Sequence, residues 1–153
     1  QYYAMVSPVM IDAKNPLYSV NGVFNAIFIH GNVLGDAMFY GSGAGKLPTA
    51  SAVVADVVDC AKNKGRNIMM SWSEEKLDLL QIDDVKSRFF VRVSGHAAER
   101  QSEIEELFGK VEIVAVPSLS EEFAFITGEI TEQEYREKAE KLDGIQSRIR
   151  ARI

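Results

Sequence analysis

The stretch that decides the fold runs from Ser87 to Ile153, SRFFVRVSGHAAERQSEIEELFGKVEIVAVPSLSEEFAFITGEITEQEYREKAEKLDGIQSRIRARI. SRFFVRVS (87–94) is rich in β-branched and aromatic residues and predicts a strand. Gln101–Phe108 predicts a short helix ended by Gly109, and Val111–Val116 and Phe123–Ile130 predict two more strands with a Pro117 turn between them. Thr131 caps a second helix. Glu134 completes the capping box three residues on, and Ile130 and Tyr135 take the staple positions around the cap. Glu134–Lys138 and Glu137–Lys141 add support at i,i+4 spacing, and Gly144 ends the helix. Ile145–Ile153 then alternates strictly, with Ile145, Ser147, Ile149, Ala151 and Ile153 on one face. The order is βαββαβ, a ferredoxin-like four-stranded sheet under two helices in the α+β class.

Upstream the chain changes character. Up to Gly65 it carries four basic residues and four acidic ones, and seven of the 11 glycines; the remainder holds 13 basic and 18 acidic residues and with them the whole net charge of −5. A sparsely charged, glycine-rich first part predicts surface buried against something larger, and the charged second part predicts a domain solvated on its own. Residues 66–85 show weak periodicity and read as a linker. Within 1–65, Tyr2–Ile11, Tyr18–Ile29 and Val33–Tyr40 predict strands, and a helix is expected from about Pro48 to Asn63. That helix, TASAVVADVVDCAK, is small and apolar almost all round, so it predicts close burial, with Cys60 as a small core residue.

Composition bounds the function. At 153 residues, 17.0 kDa, 46% apolar and 25% charged, the chain has the make-up of a soluble globular protein, and its acidic balance argues against a nucleic-acid partner. A single cysteine excludes a disulfide framework and a zinc site built on paired cysteines, so no metal is expected and a reducing cytoplasm fits. The uncharged run Asn15–Gly35 contains Pro16, Asn21, Asn25, Asn32 and His30, which does not read as a membrane span. No basic-then-apolar signal segment opens the chain. It starts at Gln1 in what reads as mid-strand, which suggests a piece of a longer protein.

The sharpest local motif is YGSGAGKLPTASAV (40–53). A glycine-rich turn feeding a helix lets backbone N–H groups approach an anion or a cofactor. It is neither a nucleotide P-loop, which needs glycine at Tyr40 and a hydroxyl at Leu47, nor G-x-G-x-x-G, since position 46 is Lys. On spacing alone a tight strand-to-helix turn and a ligand contact are equally good readings. Lys46 reads as a solvated surface lysine, and neither His30 nor His96 has a partner at ligand or triad spacing.

The run NGVFNAIFIHGNVLGDAMFYGSGAGKLPTASAVVADVVD resembles the closing segment of the catalytic region of homoserine dehydrogenase, through Asn25-Ala26, Gly41, Gly43-Ala44-Gly45 and Pro48–Val53. The resemblance implies an NAD(P)-dependent oxidoreductase that interconverts homoserine and aspartate semialdehyde in threonine and methionine biosynthesis. By it, Gly43, Ala44 and Gly45 lie beside the nicotinamide end of the cofactor, and the helix from Pro48 packs on a Rossmann sheet. The family's dinucleotide fingerprint and its two catalytic lysines have no counterpart here, so no catalytic residue is assigned and the chain alone is expected to be inactive.

Residues 86–153 are similar to an ACT domain, a regulatory βαββαβ unit often carried by homoserine dehydrogenases. This implies a homodimer through that domain and an amino-acid effector such as L-threonine near the first strand–helix turn, here Gly95, His96 and Ala97. The turn departs from the usual Asp-x-Pro-Gly. A free-standing ACT-like amino-acid-binding or dimerisation module is the alternative. Gln146, Arg148, Arg150 and Arg152 share a face of the last strand, either as an anion-binding stripe or as a solvated face paired with glutamates.

Overall fold

The computed structural model describes residues 2–66 and 70–153. They fall into two compact units, one of residues 1–12 and 76–153, the other of residues 13–75. Positions 67–69 of the expected linker, and Gln1, lie outside the described residues.

In chain order the elements are β1 (Val9–Ile11), β2 (Asn25–Gly31), β3 (Gly35–Gly41), α1 (Lys46–Lys62), β4 (Lys86–Ser94), α2 (Ala97–Phe108), β5 (Glu112–Val114), β6 (Glu122–Ile126), β7 (Ile130–Thr131), α3 (Glu132–Ala139) and β8 (Ile145–Arg152). The second unit consists of β2, β3 and α1. The first unit holds the others, in a mixed α+β arrangement.

The large sheet runs β1-β8-β4-β6-β5, with β7 pairing the start of β4. Central β4 is antiparallel to both neighbours, in the register Val91↔Arg148 on one side and Val91↔Phe125 on the other. Alternation then points Phe89, Val91 and Val93 to the same face as Phe123 and Phe125, and all five are buried. Ile104 and Phe108 of α2 and Tyr135 of α3 complete the core. Its aromatic rings meet tilted, Phe89 on Tyr135 at 4.6 Å and Phe108 on Phe125 at 5.1 Å between centroids. Buried Thr127 extends the β4–β6 pairing around the corner, exchanging backbone and hydroxyl hydrogen bonds with Phe89 at 2.9 Å each.

The capping box at α3 is formed in both directions. Glu134 N–H donates to Thr131 Oγ1 at 3.1 Å, and Thr131 N–H donates to a Glu134 carboxylate oxygen at 2.7 Å. Lys138, expected to pair with Glu134, donates instead to the Leu107 carbonyl at the end of α2 (2.5 Å). The helix also ends early, at Ala139, and Gly144 with φ +76° opens β8.

Other boundaries differ from expectation for identifiable reasons. The strand expected over Tyr2–Ile11 shortens to Val9–Ile11, and it pairs in parallel with β8 instead of joining the elements that follow it. The start of Tyr18–Ile29 is lost to a 3₁₀ turn over Pro16–Ser19, which Asn15 caps by accepting from Leu17 N–H at 3.0 Å. Helix α2 begins four residues earlier than predicted, at Ala97. Helix α1 was expected to be buried, yet none of its residues is; Val53, Val54, Val57 and Val58 are all exposed, and so is Cys60. Its apolar surface meets no cover within its own unit.

Candidate functional site: the glycine turn and the loop cluster

In the unit of residues 13–75, β2 and β3 form an antiparallel hairpin whose open end pairs Asn25 with Gly41. Phe24 and Tyr40 stack there at 5.0 Å with an interplanar angle of 15°. The chain leaves β3 through Ser42-Gly43-Ala44-Gly45 and enters α1 directly. Gly45, the residue before the helix, adopts φ +120°, a conformation open to glycine and strained for other residues. The Gly45 carbonyl accepts from Thr49 N–H at 3.2 Å and from Thr49 Oγ1 at 2.8 Å, which fixes the turn on the first helical turn. Pro48 lies in that same turn, where its missing N–H removes no helical bond.

Gly43 is confined by space. A Cβ placed on it would lie 2.9 Å from Asn25 Nδ2 and 3.4 Å from Asn25 Oδ1. The sequence-predicted residues Gly43, Ala44 and Gly45 are thus contiguous and exposed, at a turn where the backbone can be approached closely. That is the cradle a dinucleotide would need, and the residues present fit it. Asn25 stands out in the sequence only as part of the resemblance, and hairpin closure brings it beside residue 43.

His30 is exposed as expected, but it does have a partner: Asp36, across the hairpin turn, at 2.5 Å from Nδ1.

In the other unit, Gly95, His96 and Ala97 form the β4–α2 turn. Gly95 has φ +102°, and its N–H donates to the Glu121 carbonyl at 2.8 Å. The neighbouring Ser94 N–H donates to the Gly144 carbonyl at 3.0 Å. Arg100 ties these loops together, donating to the Ser94 carbonyl and the Asp143 carbonyl at 2.9 Å each while Glu103 holds its other side at 3.1 Å. All three predicted residues line an open cleft of about 330 Å³ together with Pro117 and Ser120. A second cleft of about 370 Å³, lined by Ser94, Ser118, Glu121 and Gln146, meets it at Leu119, Ser120 and Glu122. Arg100 has no sign in the sequence, since its partners lie up to 43 residues away.

The arginine face of β8 lies on the helix side of the sheet, not on a solvated face. Arg148 and Arg150 both pair with Glu132, which is only 6% exposed. Their guanidinium groups lie over Tyr135 at 4.7 Å (Arg148) and over Phe89 at 5.3 Å (Arg148) and 5.9 Å (Arg150). Burial opposes ionisation of Glu132, but the hydrogen bond and charge of Arg148, with Arg150, outweigh it and hold the carboxyl below its ordinary range. Among the described residues no group of three His, Cys, Asp or Glu could hold a metal, and no helix is long and apolar enough to cross a membrane.

Residues 2–58 match the family model "Homoserine dehydrogenase". The homoserine dehydrogenase of Lactococcus lactis is 42% identical over 94 residues, covering 60% of this chain and 22% of the relative, and that of Corynebacterium glutamicum is 54% identical over 61 residues, covering 40% and 14%. Residues 2–58 are thus similar to part of a homoserine dehydrogenase. The chain spans about a fifth or less of the length of these relatives. Crystal structures of homoserine dehydrogenase from Thiobacillus denitrificans (TM-score 0.73, 24% identity) and from S. aureus at pH 6.5 (TM-score 0.67, 26% identity) each match 95% of this chain. The matches cover 38% and 36% of those structures, so the likeness of fold extends well past the residues that the family model matches.

Proposed function

We propose that the chain forms the C-terminal part of an NAD(P)-dependent homoserine dehydrogenase that interconverts homoserine and aspartate semialdehyde in the cytoplasm, on the route to threonine and methionine. Residues 1–65 end the catalytic region, 66–85 link, and 86–153 form an ACT-like ferredoxin-like regulatory domain. The observation that carries the reading is the turn Gly43-Ala44-Gly45, set on a helix start, inside the segment that matches the family.

The dinucleotide, NADP or NAD, carries the hydride. This chain's residues serve its placement. Gly43, Ala44 and Gly45 offer backbone without side-chain bulk, and Thr49 holds the Gly45 carbonyl so that the turn keeps its shape. No lysine of the chain takes a proton in this reading, and the chain alone is inactive.

The β8-β4-β6-β5 strand order supports the ACT-like reading of the second part. An effector such as L-threonine would sit at Gly95, His96 and Ala97, with Arg100 setting the turn, and the domain would pair two copies of the enzyme.

Gly43→Val in the complete enzyme tests the reading. Since residue 43 is not in the left-handed region, valine adds no backbone strain, only bulk in the cradle. Hydride-transfer activity should fall at least about a hundredfold with dinucleotide binding weakened in parallel, as for obstruction of a close backbone approach. Wild-type activity would overturn the assignment.

A further inference from the structure

Gly43 has an ordinary backbone φ, so its own conformation does not demand glycine. Its surroundings do. The space a Cβ would fill is taken by the end of Asn25, 2.9 Å away at Nδ2, 3.4 Å at Oδ1 and 3.5 Å at Cγ. A side chain at 43 would push the carboxamide off the turn, which an exposed asparagine can concede cheaply. Glycine there therefore protects the position of the Asn25 amide. That amide has no hydrogen-bond partner among the described residues, leaving two N–H donors and a carbonyl acceptor at the exposed glycine turn.

We propose that Asn25 is a binding residue of this turn, its carboxamide recognising the carboxamide of the nicotinamide ring. Two primary amides are self-complementary, one N–H to O=C bond running each way, and Asn25 has both groups free. The proposal rests on the reading of Gly43, Ala44 and Gly45 as the cofactor contact. It adds a residue that selects for the ring substituent.

The test is calorimetric binding to the complete enzyme of whichever of NAD⁺ or NADP⁺ it prefers, and of the 3-acetylpyridine analogue, in which a methyl replaces the amide nitrogen. Wild type should favour the natural cofactor about tenfold, the scale of one uncharged hydrogen bond. Asn25→Ala should abolish that preference, the natural cofactor losing both hydrogen bonds and the analogue only the one its acetyl oxygen accepts. Gly43→Ala, by displacing the amide, should have the same effect, and the double variant should be no weaker than either single.

A preference retained in Asn25→Ala, or losses that multiply in the double variant, would overturn the role of Asn25. If Gly43→Ala weakens both dinucleotides equally and Asn25→Ala weakens neither, the cofactor turn stands without Asn25. If neither substitution nor Gly43→Val changes the binding of either dinucleotide, the cofactor-turn reading falls and the proposal with it. Unchanged melting midpoints of the variants separate these outcomes from misfolding.

Discussion

The two units use apolar residues in opposite ways. Residues 76–153 hold the buried core of the chain, with Phe89, Val91, Val93, Ile104 and Phe125 nearly inaccessible. No described residue of 13–75 is buried, although Ile27, Phe39, Val54 and Val57 are as apolar as anything in that core. A two-stranded hairpin and one helix cannot enclose a core. Apolar content alone does not make a domain; elements must be arranged to face one another. The exposed apolar surface of the hairpin and helix of 13–75 is consistent with the proposed place at the end of a catalytic region.

The largest effect should come from separating the two. A peptide of residues 76–153 should melt in one cooperative transition by circular dichroism, and a peptide of 13–75 in none. A cooperative transition in 13–75 would break the contrast. A point change should reproduce it on a smaller scale. Phe125→Ala should lower the stability of the 76–153 fold by about 3–5 kcal/mol, the cost of a large aromatic cavity. Ile27→Ala, at a side chain that is 65% exposed, should alter the melting of the whole chain by less than about 0.5 kcal/mol.

What the sequence made legible follows the same divide. In 86–152 several local signals agreed with the final packing: alternation along β4, the Thr131–Glu134 box, and Gly109 after α2, whereas β8 turns Arg148 and Arg150 toward the helices. Such agreement arises where short-range pattern and long-range contact reinforce each other. The apolar girth of α1 was legible too, but no element of its own unit buries it, so the expected burial of Cys60 did not follow. The pairing of β1 with β8 had no local sign, since three residues joined to a strand more than 130 positions away leave no periodicity to read. At the candidate sites, Gly43, Ala44 and Gly45 were visible from their motif. Arg100 was not, and Asn25 was visible only through the resemblance, because what distinguishes them is a neighbour brought by folding.

Charge sharpens the contrast between the units. The His30–Asp36 pair of the hairpin is exposed on both sides, whereas Glu132 is nearly buried between Arg148 and Arg150. Glu132→Gln should destabilise the 76–153 fold by about 1–3 kcal/mol at pH 7, since two partly buried guanidinium groups lose their counter-charge. Asp36→Asn should change little. The Glu132 carboxyl is held below its ordinary value in the fold, so its contribution is complete above that ordinary value and is lost as pH falls through the depressed one. Urea melts between pH 7 and pH 2 should therefore show wild type and Glu132→Gln converging in acid. A constant gap between them would mean that shape, not charge, holds the pair.

The smallest effect tests whether the local signals read in 86–152 are energetic or merely coincident with the fold. Thr131→Ala removes the hydroxyl that accepts from Glu134 N–H, and should cost about 1 kcal/mol. Glu134→Gln keeps the reciprocal hydrogen bond to Thr131 N–H and should cost less, with Glu134→Ala between the two. The Glu134 carboxyl is also held below its ordinary range, chiefly by that backbone hydrogen bond. The difference between wild type and Glu134→Gln should therefore shrink as pH falls and the wild-type carboxylate is neutralised. Were all three variants to melt like wild type at neutral pH, α3 would owe its start to Tyr135 in the core alone. The box would then mark where the helix begins without helping to hold it.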